Sequence, residues 1–412
     1  MRPLRRIRIA DAAAMTIALR RGHVTESMTD FRKHFPVLSE KIYLNSCSQG
    51  ALSEEVEEGM LQYLRSWHTH GSPWDIWVEQ YEAGRRQFAQ LIGAEPEEVA
   101  IVASASAGVN ALASALSFKQ RNKVVLGEFE FPTMGHIWLA QRPRGADVVF
   151  VEAEKNRLRV EAYDALVDRN TLIVPLTHLC FMNGFRSPVA EITEIAHDRG
   201  ALVLLDDYQD SGTRPIDVKA MQVDAYVTGT LKYLLGPPGL AFMYVRKSIA
   251  ESLVPTVTGW FGQRNPFAFD VKLFDPAPGA RRFESGTPPI PVIYGAVEGV
   301  KLLQQFGLQN VADQIRVLTR ALVSGASQLG IQIKTPLDSV GPLVVLQSKD
   351  ADGLVRLFAR EGVICSSRHD GLRISFHAYN TVDDVKFVLR LLQQNLEMLV
   401  TAPAAIAGGS ES

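Results

Sequence analysis

Short apolar runs alternating with amphipathic stretches occupy the middle of this chain, and few folds accept that pattern. The runs are Val99 to Ala103, Val124 to Leu126, Val148 to Val151, Leu172 to Leu176, Leu202 to Leu205, Ala225 to Val227 and Leu240 to Val245. Helical patterns separate most of them, as at Gly108 to Leu116 and Val189 to His197. Apolar runs of strand length suit strands buried on both faces, and the intervening helices supply the crossovers that parallel pairing needs. The pattern predicts an α/β fold with a large, mostly parallel sheet covered by helices on both faces. After a helical run from Val292 to Phe306 the order changes. A helix, strands at Ile331 to Ile333 and Leu343 to Leu346, another helix, strands near Val363 and at Leu372 to Phe376, and a long last helix predict a smaller C-terminal α+β domain.

The expected organisation is a disordered extension over 1–30, an N-terminal segment over 31–55 that packs with the small domain, the large domain over 56–306, the small domain over 307–400, and a flexible tail over 401–412. In the first stretch Arg2, Arg5, Arg6, Arg8, Arg20 and Arg21 face only Asp11, and Met28 is an alternative start. The apolar stretch among them is too short and interrupted for a secretory core or a membrane span. Further on, Ser53 is placed to cap a helix whose stripe Val56, Met60, Leu64 and Trp67 is expected to face a core. "HTHGSPW" ends that helix, and a second carries Trp77, Tyr81, Phe88 and Leu91 as packing residues.

Composition narrows the partners. The 412 residues are 46% hydrophobic with a formal net charge of -2, which supplies a core but no broad attraction for nucleic acid or anionic lipid. A small-molecule ligand is expected, with neither nucleic acid nor membrane as partner. Cys47, Cys180 and Cys365 are odd in number and widely spaced, which suits a reducing, cytoplasmic setting and shows no metal-ligand spacing.

Open parallel sheets present reactive groups beyond the carboxyl ends of their strands. "ALVLLDDYQDSG" ends in Asp206, Asp207 and Gln209; "DAYVTG" leads to Thr230 and Lys232; "VAIVASASAG" opens a helix at Ser104, Ala105 and Ser106; "VVLGEFEFPT" ends at Phe131. Singly these read as a loop carboxylate, a surface lysine, a helix cap and a core aromatic. In this order they describe a pocket for a phosphorylated pyridine aldehyde. Lys232 can form an imine with the aldehyde. Asp206 can keep the ring nitrogen protonated, so that the ring accepts electrons from a broken Cα bond. Ala105 and Ser106 can offer N–H groups and a hydroxyl to the phosphate at a helix N-terminus. Phe131 can lie on the ring.

With these residues in view, the sequence resembles the fold-type I pyridoxal 5'-phosphate (PLP) enzymes of the class V aminotransferase superfamily, which includes cysteine desulfurases, isopenicillin N epimerase and kynureninase. "LLDDYQ" is similar to the family's Asp-x-x-Gln/His, "TGTLKYLLGPPG" to its Schiff-base lysine segment and "RRFESGTPP" to its Arg-Phe-Glu-x-Gly-Thr-Pro signature. The resemblance implies that Gln209 bonds the cofactor's phenolic oxygen. It also implies that Thr287 reaches the phosphate of a neighbouring subunit in a homodimer with shared active sites, and that Arg373 pairs with the α-carboxylate of a small amino-acid substrate. "EFPT" and "GWFGQRNPFAF" look most like the kynureninase branch, where Phe131 stacks on the ring and Trp260 helps to bind phosphate. A lyase breaking a bond at Cβ or Cγ, or eliminating a β-substituent, is the leading expectation. Transamination or epimerisation at Cα is the alternative. A non-catalytic binding protein on the same fold is disfavoured by the retention of Asp206 and Lys232.

Departures from the family carry their own expectations. Leu231 cannot donate to phosphate where the family commonly has His or Tyr, so Thr230 or Thr228 is expected to substitute. Phe181 and Met182 stand where kynureninase-like sequences have Tyr and a basic residue, which leaves His178 as the candidate for proton transfer. The short "CSSRHDG" puts Cys365 on the strand side of the connection where desulfurases carry a nucleophile, so Cys365 reads as a small buried hydrophobe.

Overall fold

The computed structural model describes residues 27–401. The expected extension and tail therefore lie largely outside the described residues. Among the described residues there are twelve strands: β1 (Ile42–Tyr43), β2 (Val99–Val102), β3 (Lys123–Gly127), β4 (Asp147–Val151), β5 (Thr171–Thr177), β6 (Leu202–Asp206), β7 (Ala225–Gly229), β8 (Ala241–Val245), β9 (Leu343–Gln347), β10 (Val363–Ile364), β11 (Ser366–Arg368) and β12 (Gly371–Ser375). Seven make one sheet in the order β2-β8-β7-β6-β5-β3-β4. Its pairs are parallel except where β8 runs antiparallel to β7 and β2. All seven apolar runs read from the sequence are strands of this sheet.

Alternation along the strands divides the core. Val125, Val174, Leu176, Val203, Leu205 and Tyr226 pack into one apolar cluster, whereas Val124, Leu126, Ile173, Leu204 and Val227 pack into the other. Both faces are buried under helices, which is why the strands read as continuous apolar runs. Serine and threonine fix several helix starts. Ser53, Ser104 and Thr381 accept the N–H groups of Val56, Ala107 and Asp384.

The C-terminal part has its own antiparallel sheet, β11-β12-β9, covered by helices Leu308–Gln328, Ala351–Arg360 and Val382–Gln394 through Leu318, Leu322, Leu354, Phe358, Val385 and Val388. The N-terminal segment reaches this part. β1 pairs in parallel with β10, Leu44 joins the small sheet's core, and Asn45 bridges to Ser375.

Two expectations are corrected. Ile331 to Ile333 forms no strand but two isolated bridges, Ile331 with Thr401 and Ile333 with Leu346. In the stripe expected to face a core only Val56 is buried, while Met60, Leu64 and Trp67 are 37%, 52% and 54% exposed. Helix Glu54–His70 meets helix Ile290–Phe306 through Gly59, where an added Cβ would lie 2.9 Å from the Tyr294 carbonyl, and through the Tyr63–Tyr294 ring contact. That contact line leaves Leu64 and Trp67 outward and Met60 at its edge, beside Gly295.

Candidate active site

The carboxyl ends of β6 and β7 open into a cleft of about 350 Å³ whose lining joins Asp206, Gln209, Lys232, Phe131, Ala105, Ser106 and Arg373. The N-terminal segment adds Cys47 and Ser48, and the β11–β12 hairpin adds Arg368. Close backbone approaches hold this arrangement. Gly50 donates to the Leu231 carbonyl at 2.7 Å, and a Cβ at Gly50 would fall 2.4 Å from the Lys232 carbonyl. A Cβ at Gly229 would fall 1.9 Å from the Tyr208 hydroxyl, so only glycine leaves room for that ring beside the lysine. The Lys232 Nζ lies 4.4 Å from the Tyr208 ring centre and 5.8 Å from that of Phe131.

The two central charges are tuned by burial and by each other. Burial pushes the Asp206 carboxyl up to about 6, against the opposing pull of the Tyr208 N–H, which donates to it at 3.0 Å, and of Lys232. Burial pushes the Lys232 amine down to about 8, with Asp206 acting in the other direction. Behind them Glu130 accepts the Thr177 N–H at 2.6 Å; burial, then the Asp206 charge, holds it well above the usual carboxylate range. It gave no signal in the sequence.

The residues fit a pyridoxal phosphate. Gln209 is buried, its amide donating to the Cys47 carbonyl at 3.1 Å while its Oε1 has no partner. Helix Ala105–Ala115 begins at the cleft. Ser104 caps the Ala107 N–H, and no intrahelical carbonyl can reach those of Ala105 and Ser106. The Ser106 hydroxyl lies 3.1 Å from that of Thr133, and both residues line the cleft. Phe131 is 45% exposed and meets Phe181 edge-on at 5.1 Å. An apolar ring that remains accessible beside a lysine and a buried carboxylate is the surface a pyridine ring needs. Arg373 is buried, donating to Ser48 at 2.8 Å, Ser366 at 2.9 Å and the Phe181 carbonyl at 3.0 Å, with no carboxylate partner among the described residues.

Other expected site residues lie elsewhere. His178 does not line the cleft. Its Nδ1 is 2.6 Å from Asp207 and its Nε2 is 2.7 Å from the Arg214 guanidinium. An arginine can only donate, so Nε2 accepts and the Nδ1 proton goes to Asp207, which leaves no ring nitrogen for proton transfer at the cleft. His178, Asp207 and Asp210 cluster closely, but Arg186 and Arg214 supply the cations there, 2.8 and 2.6 Å from Asp210. Thr230 donates to the Pro237 carbonyl at 2.6 Å and Thr228 to the Gly229 carbonyl, so neither hydroxyl faces the cleft. Thr133, the last residue of "EFPT", lines the cleft beside Ser106. Trp260 stacks on Phe269 in a separate surface hollow, and Thr287 is exposed outside the cleft of its own chain. Cys365 is buried and outside the cleft lining, its thiol pushed up to about 12 by burial. The cysteine in the cleft wall is Cys47, which no motif in the sequence marks.

These features define a PLP enzyme of fold type I. Residues 42–388 match the family model described as aminotransferase class-V, and the chain belongs to that family. It is 34% identical over 360 residues to the uncharacterized aminotransferase YcbU of Bacillus subtilis (strain 168), covering 87% of this chain and 95% of that protein. It is 30% identical over 322 residues to the kynureninase of Burkholderia mallei (strain SAVP1), covering 73% and 74% of the two chains. Among solved structures, the apo cysteine desulfurase of Thermococcus onnurineus NA1 superposes with a TM-score of 0.82 at 22% identity, over 89% of this chain and 98% of that one. A C-DES mutant with glycine covalently linked to its PLP cofactor gives a TM-score of 0.81 at 21% identity, over 88% and 98%.

Proposed function

We propose that this protein is a PLP-dependent lyase that acts on a small amino acid, with Lys232 as the cofactor-bearing residue and the proton carrier at Cα. The observation that carries the reading is the convergence of Lys232, Asp206, Phe131 and Arg373 on one cleft. Bound pyridoxal phosphate supplies an electron sink for charge released at Cα. Asp206 holds the proton at the ring nitrogen, where burial strengthens the pairing. Gln209, whose Nε2 donates one N–H to the Cys47 carbonyl, would offer its second N–H to the phenolic oxygen. Ala105, Ser106 and Thr133 hold the phosphate. Arg373, oriented by Ser48 and Ser366, anchors the substrate carboxylate. Among the described residues Lys232 is the only amine lining the cleft, so it takes and returns the Cα proton.

Lyase chemistry is favoured over transamination by the kynureninase relatives and by the fold shared with cysteine desulfurases. A homodimer fits Trp260 and Thr287, which lie outside their own cleft, and the exposed Phe267, Phe269 and Leu273 beside Trp260. Three unpaired, buried cysteines suit a cytoplasmic setting, and no helix of the described residues is long and apolar enough to cross a membrane. A spectral and product screen of the holoenzyme against an amino-acid panel tests the reading. Release of a cleaved side chain supports a lyase; keto acid formed only with a 2-oxo acid acceptor would make it an aminotransferase.

A further inference from the structure

The charges lining the cleft do not balance. Its lining holds three cations, Lys232, Arg368 and Arg373, and one carboxylate, Asp206. On the reading above, Lys232 and Asp206 serve the cofactor, and the phosphate lies at helix Ala105–Ala115. Both arginines come instead from the β11–β12 hairpin. An ordinary amino acid brings one carboxylate for Arg373 and commits its amine to the cofactor. Arg368 is left over.

The hairpin register puts the two arginines on one face. Ser366 pairs directly with Arg373, and Arg368 lies two residues further along the same strand. Residues two apart share a face, so Arg368 and Arg373 are diagonal neighbours, about 7–8 Å apart at the backbone. Neither has a carboxylate partner among the described residues. The Arg368 Nη1 donates only to the Ser367 carbonyl at 2.7 Å. Nearby carboxylates are engaged, Asp370 by Lys334 and Gln347 and Asp352 by Ser367. Burial, then the like charge of Arg373, lowers the Arg368 guanidinium from its ordinary value, as expected for two cations facing one space.

We propose that the substrate carries a second compact oxyanion, a carboxylate or sulfinate, on a short side chain, and that Arg368 binds it while Arg373 holds the α-carboxylate. The proposal rests on the PLP reading of the cleft. It makes Arg368 a specificity-determining residue on the hairpin that also carries Arg373.

The test is calorimetric titration of the holoenzyme with ligands that lack an amine and cannot react: succinate and glutarate against propionate and butyrate. The wild type should prefer the dicarboxylates by about tenfold or more, the scale of a charge-assisted hydrogen-bond pair. Arg368→Ala should remove that preference without weakening the monocarboxylates, Arg368→Lys should restore part of it, and Arg373→Ala should weaken both classes. Equal affinity of the wild type for both classes, or a preference that survives in Arg368→Ala, would overturn the proposal. If the preference is absent but amino acids still turn over, the PLP reading stands without this inference. A preference in a protein that turns over no amino acid supports the inference and removes the lyase reading instead.

Discussion

Asp206 closes β6 and Lys232 follows the neighbouring parallel strand β7, so the two side chains enter one cleft and each opposes the effect of burial on the other. Asp207, the next residue, takes the other face of the chain. Its two oxygens accept from His178 and from the Tyr226 hydroxyl, both at 2.6 Å.

That difference separates two substitutions. Asp206→Ala should lower turnover by roughly 10²- to 10³-fold or more with little change in stability, because it removes charge stabilisation at the reacting centre. Asp207→Ala should act on stability, since it strands two buried donors at about 1–3 kcal/mol each. Steady-state kinetics and urea unfolding of both variants check this. A rate loss confined to Asp207→Ala would reverse the roles.

Cofactor capture should depend on pH. Only a neutral amine attacks an aldehyde, and Lys232 is pushed down to about 8, so the rate of reconstitution of the apoprotein should rise with pH through about 8. Asp206 raises the amine, so Asp206→Asn should move the midpoint lower still. Stopped-flow mixing across pH reads it directly. A midpoint near the ordinary lysine value would mean that burial does not govern this amine.

Kynurenine should be a poor substrate. Its cleavage needs an acid to protonate a departing carbanion, and Phe181, which lines the cleft, has no acidic group. His178 is excluded by its bonds to Asp207 and Arg214. A missing general acid costs roughly 10²- to 10⁴-fold, so anthranilate release should be slow in the wild type and faster in Phe181→Tyr. Efficient wild-type turnover, at roughly 10⁴ M⁻¹s⁻¹ or more, would contradict this.

Much of the fold was legible because the strands of the large sheet are apolar runs and helical patterns separate most of them. The convergence of Asp206, Lys232, Phe131 and Ala105 on one cleft was legible for a related reason: each stands at or just beyond the end of a strand, where an open sheet places reactive groups. Contributions from distant segments were not. Cys47 and Ser48 reach the cleft because β1 pairs with β10 and Asn45 bridges to Ser375, and no local period encodes that pairing. Arg368 depended on the hairpin register. Met60, Leu64 and Trp67 misled because helical spacing reports an apolar stripe and not what covers it. Thr230 and His178 occupy strand ends as expected, yet both bond to neighbouring protein groups.

Every role proposed for the cleft depends on Lys232 as the residue that carries the cofactor. Borohydride reduction of the reconstituted enzyme, followed by peptide mapping, tests it most directly. The phosphopyridoxyl mass should fall on the peptide containing Lys232, and Lys232→Ala should lose both the label and the visible absorbance while keeping its far-ultraviolet circular dichroism. A label on any other lysine, or an unchanged visible spectrum in Lys232→Ala, would contradict the account.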